Sequence, residues 1–151
     1  MIKFSHNLVF KYVISGLASS ALQTALMAFK YKFQLLPDFR PYESIQTHLA
    51  ESIGYLIPTS WVWVLSFING TVLIGGLFGI LYSRLSNFPI WTRGLIIGIA
   101  AWFTIMTVVF PALGYGLFGL ETGNGIQPAF IAIMMILTYS LVYSLVYERF
   151  Q

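Results

Sequence analysis

Ser44, His48 and Glu51 fall at i, i+4 and i+7, a spacing that sets a hydroxyl, an imidazole and a carboxylate along one face of a helix. These are the group types of a serine-nucleophile triad. A working triad also needs an oxyanion hole built by tertiary geometry, which a single helical face seldom offers, so a solvated polar face is the default reading. Asp38, His48, Glu51 and Glu121 could in principle ligate a divalent cation, but their spacing matches no metal motif and no metal site is expected. His6 and His48 are predicted on opposite sides of the structure, which weakens any haem reading, and no cofactor is expected. The chain has no cysteine, hence no disulfide, zinc-thiolate or thiol nucleophile.

Two further patterns invite chemistry. Gly114-Tyr115-Gly116 resembles part of a potassium-channel filter, but Ala112-Leu113 stand where Thr-Val would, and Pro111 lies just upstream. Pro111 is better read as the end of a helix. Tyr139, Tyr143 and Tyr147 form an i, i+4 stripe that could stack a quinone or pigment, although aromatic packing is the simpler account. No glycine-rich nucleotide loop, catalytic carboxylate pair or lipidation motif is present.

The elements that carry these residues follow from composition. Of 151 residues, 58% are hydrophobic and 9% charged, against about 25% charged in soluble chains. Thirteen charged side chains cannot cover a domain of this size, so apolar side chains must face lipid. A helix needs roughly 20 apolar residues to cross a hydrocarbon core of about 30 Å. Four stretches qualify, at about 10–29, 61–82, 94–114 and 126–147, within a single membrane domain spanning 1–151. The first is too long for a signal-peptide core and lacks a following small-x-small site, so it is expected to be retained. The expected fold is an all-α integral membrane protein: a bundle of four transmembrane helices plus one amphipathic interfacial helix.

That additional helix is predicted over about 41–57, between the first two crossings. Tyr42, Ile45, Leu49, Ile53 and Leu56 recur at helical spacing, Pro41 suits a first turn, and Pro58 follows the end. It is expected to lie on the membrane surface or cap the bundle. The 114–127 loop, glycine-rich but apolar, is expected to tuck back against the helices. Gly-Leu-Phe-Gly at 76–79 and again at 116–119 is read as coincidence.

Charge sets the expected orientation. Lys3, Lys11, Arg84, Arg93 and Arg149 share one side with the single acid Glu148; Lys30, Lys32 and Arg40 share the other with Asp38, Glu43, Glu51 and Glu121. The positive-inside rule then places both termini in the cytoplasm of a bacterial inner membrane. The net charge of +3 does not imply nucleic acid, because the basic residues are scattered at helix ends where headgroups meet them. The expected partners are the bilayer and other membrane-protein subunits.

Small residues make the strongest pattern inside the spans. Gly16, Ser20, Thr24 and Ala28 step by four along the first, as do Thr71, Gly75, Gly79 and Ser83 along the second; Gly94 and Gly98 open the third. Lipid supplies no hydrophobic drive between helices, so such residues form packing faces or docking faces for another subunit. No ionisable group falls deep in a span, which argues against proton-coupled transport. Neutral Gln23, Asn69 and Thr104 could still line a narrow polar path.

At Asn69-Gly70-Thr71, Gly76-Leu-Phe-Gly-Ile-Leu-Tyr82, Arg93-Gly94, Ala101-Trp102 and Pro111-Ala-Leu-Gly-Tyr-Gly-Leu-Phe-Gly-Leu120, the chain resembles a group of small bacterial inner-membrane proteins known as a domain of unknown function and distantly YagU-like. The resemblance covers about 12–147, chiefly 66–121, and implies a four-helix bacterial membrane protein. It transfers no catalytic or ligand residue. Family members often carry histidines near the positions held here by Ser66 and Leu137, so histidine chemistry is not implied for this chain.

Together these features predict a non-enzymatic accessory or structural subunit of a larger inner-membrane complex. The alternative is a small-solute transporter or channel acting as a homo-oligomer. A lipid- or quinone-active enzyme built around Ser44, His48 and Glu51 ranks third.

Overall fold

A computed structural model describes residues 6–36 and 38–150. Among these residues every regular element is helical. We number five long helices in chain order: α1, His6–Lys32; α2, Pro41–Ile53; α3, Thr59–Arg84; α4, Ile90–Ala112; and α5, Gln127–Arg149. All but α2 are long and apolar enough to cross a membrane, which makes the chain an all-α, multi-pass membrane bundle. Most span ends lie two to four residues outside those expected from apolarity alone, as where α1 takes in Lys30 and Lys32 and α3 takes in Arg84 in their last turns. By contrast, α4 stops at Ala112, two residues short of 114, and α5 starts at Gln127, one residue inside 126. In the last turns of α1 and α3 the exposed Lys32 and Arg84 meet the negative end of the helix dipole and reach the interface along their apolar stems. Lys3, counted with the basic residues at the first end, lies outside the described residues.

Pro41 starts α2, and Arg40 bonds the Glu43 carboxylate in the first turn at 2.9 Å. The helix stops at Ile53, earlier than the expected 57, because Gly54 adopts a left-handed conformation (φ 70) and donates its N–H to the Ala50 carbonyl. α2 buries no residue completely and lies across one end of the bundle. Its Tyr42 ring sits 4.4 Å from that of Trp63 on α3.

Two spans widen into π turns, at Gly70–Ile74 in α3 and Ile105–Val109 in α4. The second lies just ahead of Pro111, which has no N–H to give the Thr107 carbonyl and crowds it sterically. Beyond Ala112 the chain turns through Gly114 (φ 74) and Gly116 (φ 66) into a 3-10 segment, Leu117–Thr122. That segment packs inward: Tyr115 and Gly119 are buried, and the Phe118 ring lies 5.7 Å from Trp102. The two Gly-Leu-Phe-Gly stretches therefore differ, one α-helical and one with Gly116, Phe118 and Gly119 all at positive φ.

α5 is the central post, packed most extensively on α4 and α1. Its buried residues Ala132, Met135, Ile136, Tyr139, Ser140, Tyr143, Ser144 and Tyr147 repeat at helical spacing. Tyr12 of α1 stacks on Tyr147 at 5.9 Å and Phe10 meets Phe150 at 6.1 Å, so the two ends of the chain share one face of the bundle. Tyr12, Phe78, Tyr82, Ile97 and the three α5 tyrosines form the core toward that face. Phe39, Met106, Phe110, Tyr115, Ala129, Ala132 and Ile136 form the core toward α2.

Glycine allows the spans to touch. A Cβ on Gly75 would stand 3.0 Å from the Gly16 Cα, and one on Gly16 would collide with the Thr71 carbonyl. At Gly76, one residue along, nothing lies within 4 Å. Gly16→Leu should therefore cost about 2–3 kcal/mol through overpacking against backbone. Gly76→Leu should be neutral or slightly stabilising. Thermal unfolding in mild detergent compares them, and equal midpoints would refute this packing.

Candidate functional site

Polar groups inside the bundle gather where α1, α3 and α5 meet. Gly16 and Ser20 face the π turn of α3, and Ser20 lies so close to Gly70 that a Cβ there would stand 2.7 Å from its Oγ. From α5, Tyr139 donates its hydroxyl to the Gly70 carbonyl at 2.6 Å, and Tyr143 donates to the Gly75 carbonyl at 2.7 Å. A π turn displaces backbone carbonyls from the regular ladder, and in lipid each must find a donor within the protein. The tyrosine stripe supplies two.

Around this contact Ser15, Ser20 and Thr71 bury their hydroxyls, and Gln23 its amide oxygen, without a hydrogen-bond partner among the described residues. Ser19 bonds back to the Ser15 carbonyl at 2.8 Å. These groups offer hydrogen bonding and dipoles only; no carboxylate, amine or imidazole stands among them. Gly79 receives the Tyr12 ring flat against its backbone. Between α4 and α5 the same device recurs: a Cβ on Gly94 would lie 2.7 Å from the Ser144 Oγ, and one on Gly98 would strike the Ser140 hydroxyl. Gly16, Ser20, Thr71, Gly75, Gly79, Gly94 and Gly98 thus all sit at contacts within the chain, while Thr24 is half-buried on α1.

The residues drawn as a polar path are dispersed. Gln23 is half-buried, whereas Asn69 and Thr104 are exposed on the bundle exterior. Thr104 returns its hydroxyl to the Ala100 carbonyl at 2.9 Å.

At the α2 end, Ser44 shares a hydrogen bond with Tyr115. His48 Nδ1 lies 3.4 Å from Glu51 Oε2, with both side chains exposed. The Ser44 hydroxyl is thus engaged by Tyr115, away from the His48–Glu51 pair. Among the described residues no three His, Asp or Glu side chains converge as metal ligands. Gln46 also ties α2 to the start of α3, donating to the Ile57 carbonyl at 2.5 Å and accepting from the Thr59 hydroxyl at 3.1 Å.

The opposite end is locked by charge. Arg93 pairs with Glu148 at 2.7 Å, both largely buried, and its remaining nitrogens donate to the carbonyls of Phe88 at 2.6 Å and Ser86 at 2.8 Å. Tyr82 donates to the same Glu148 oxygen at 3.1 Å, and its ring lies beneath the Arg93 guanidinium. One carboxylate so joins the ends of α3, α4 and α5. Apolar periodicity carries no sign of this; the positions of Arg93 and Glu148 at opposed helix ends were the only available hint.

Lys30, expected at a helix end where headgroups meet it, lies inside the protein instead. It is 5% exposed, and its ammonium donates to the carbonyls of Leu36, at 3.3 Å, and of Phe39. Burial of a lysine cannot be read from one position of a helix; the neighbouring polar-aromatic run 31–34 was the available signal.

Burial raises the hydroxyl pKa of Tyr115, with the Glu43 carboxylate adding to the shift and the Ser44 bond opposing it; burial likewise raises that of Tyr42. A raised phenol pKa means the folded state holds its proton more tightly than the unfolded state. The resulting stability is complete below the ordinary value of 10.0 and is lost as pH climbs through the raised value. Unfolding midpoints should fall from about pH 9 to about pH 11, and Tyr115→Phe should flatten that dependence. An unchanged slope in the variant would contradict the assignment.

Comparisons with family models, with curated proteins and with solved structures return no match, so these contacts stand on the geometry of this chain alone.

Proposed function

We propose that this protein is a non-enzymatic accessory subunit of a larger bacterial inner-membrane complex, docking through the exterior of α3, with both termini in the cytoplasm. The carrying observation is Asn69, exposed near the middle of the Thr59–Arg84 span. Exposed Thr104 and half-buried Thr107 satisfy their hydroxyls on the carbonyls four residues back. Among the described residues the Asn69 amide forms no such bond, and an amide facing hydrocarbon costs free energy until another helix offers donors and acceptors. Beside it lie exposed Val72 and Leu73 and the open backbone at Gly76, a surface that lets a second helix approach closely. The small residues at the other crossings are occupied within the chain, which leaves this face for a partner.

Two further lines support the reading. The Ser44 hydroxyl is held by Tyr115 rather than by His48, which disfavours an enzyme at α2. Lys11, Arg84, Arg93 and Arg149 sit toward the end shared by the termini, which favours a cytoplasmic placement of that end. Membership of the YagU-like group belongs to the same proposal and rests on the glycine and aromatic positions that suggested it. The second reading is a small-solute channel formed by several copies. Asn69 and Thr104 favour it only in that both are exposed, so that neighbouring copies would bring them to a shared path.

A photo-crosslinking residue at position 69 or 76, activated in native membranes, tests the choice. The expected product is an adduct between this chain and a different membrane protein, with native mass spectrometry giving the same stoichiometry. Asn69→Leu should weaken that association about tenfold, the scale of one interhelical hydrogen bond in model peptides. An adduct at twice the chain mass, with liposome flux lost in Asn69→Leu, replaces the subunit reading with the channel. A monomer with no adduct overturns both.

A further inference from the structure

The end of α1 carries a second feature that the docking face does not involve. Lys30, Tyr31, Gln34, Leu35 and Arg40 line a small pocket of about 30 Å³ beside the loop that leads into α2. A water needs about 10–15 Å³, so the pocket has room for roughly two waters, or for two oxygens of an oxyanion that otherwise faces outward. Its lining is cationic. Lys30 is almost wholly buried, lies over the Tyr31 and Phe39 rings at 5.0 and 5.3 Å, and pairs with no carboxylate among the described residues. Arg40 adds a second positive group, held on one edge by Glu43. The exposed Arg40 guanidinium repels the buried Lys30 ammonium, and the Glu43 carboxylate on Arg40 offsets that repulsion only in part, so an anion drawn to both cations relieves it.

Backbone geometry singles out the same place. Gln34 and Leu36 both adopt positive φ, 52 and 49, a conformation that non-glycine residues seldom take. The turn this produces delivers the Leu36 and Phe39 carbonyls to the Lys30 ammonium and closes the pocket wall.

Position decides which anion is favoured. Lys30 lies two residues from the end of the Leu8–Lys32 span, at the depth of headgroups on the α2 side. Just below and beside it Phe29 and Phe33 are more than half exposed, with their rings 4.2 Å apart, and Leu35 is exposed as well. A phosphate seated between Lys30 and Arg40 would leave its acyl chains lying along those rings. We infer that this pocket binds the phosphate of an anionic phospholipid, through Lys30 and Arg40, with Phe29 and Phe33 receiving the chains. Free inorganic phosphate has the same recognising chemistry but would gain nothing from the aromatic flank.

Native mass spectrometry of the full-length protein in mild detergent, titrated with phosphatidylglycerol, phosphatidylcholine or inorganic phosphate, tests the inference. One phosphatidylglycerol should be retained per chain, in preference to phosphatidylcholine. Lys30→Met, which keeps the apolar stem, should weaken retention about tenfold, and Arg40→Gln several-fold. A merely structural lysine would change the unfolding midpoint but not the preference between headgroups. Should Lys30→Met fail to fold, the exposed Arg40→Gln carries the test. Equal retention by wild type and Arg40→Gln, or no preference between the two lipids, overturns the site. Saturable binding of inorganic phosphate without lipid retention overturns the lipid assignment.

Discussion

The contact of Gly16 with Gly75 and the Thr71 carbonyl brings the backbones of α1 and α3 together with no side chain between them. Hydrocarbon gives helices no hydrophobic reason to associate, so dispersion at such close approach and hydrogen bonds across the gap must do it. The close approach also places the π turn of α3 within reach of α5, whose Tyr139 and Tyr143 take up the Gly70 and Gly75 carbonyls. Irregular backbone at membrane depth persists only where protein surrounds it. Here three helices do so, and the tyrosine stripe is part of that enclosure.

Charge is confined to the two ends, and each end uses it differently. Toward the termini, Arg93, Glu148 and Tyr82 form a closed network in which cation, anion and phenol satisfy one another. Toward α2 the pairing is uneven: Glu43 holds Arg40, while Lys30 meets the Leu36 and Phe39 carbonyls and two aromatic faces. A closed network rigidifies the bundle. An open one presents an unbalanced potential to whatever lies at that interface, and at a bilayer surface the abundant anion is a phosphate.

The exterior has its own asymmetry. Most of it is Leu, Ile, Val and Phe, as lipid requires. Asn69 breaks that pattern on α3, next to a glycine that no neighbour covers. The interior small residues and the exterior amide use the same physics, close approach and hydrogen bonding in a medium that supplies neither. The first are covered by neighbouring helices of the same chain and the second is not, and that difference separates a packing face from a docking face.

Hydropathy alone determined the four spans, since an apolar run of some 20 residues has few other destinations. The periodicity over about 41–57 with Pro41 likewise marked α2, which Gly54 ends at Ile53, and the i, i+4 glycines marked faces suited to close helix contact. Periodicity could not say which glycine meets which helix. Gly16 and Gly76 are the same residue type in similar surroundings of sequence, yet one abuts backbone and the other faces open space. Nor could it foresee the π turns, which rotate every later residue of α3 relative to Asn69 and so decide what lies inside. Ser44 was placed on the right helix, but its partner Tyr115 comes from a loop 71 residues away. Lys30 shows the same limit: a lysine at a helix end reads as a surface anchor, and only the fold of the following loop over it makes it a buried cation. Burial depends on what packs above a residue, and that is a property of the whole chain.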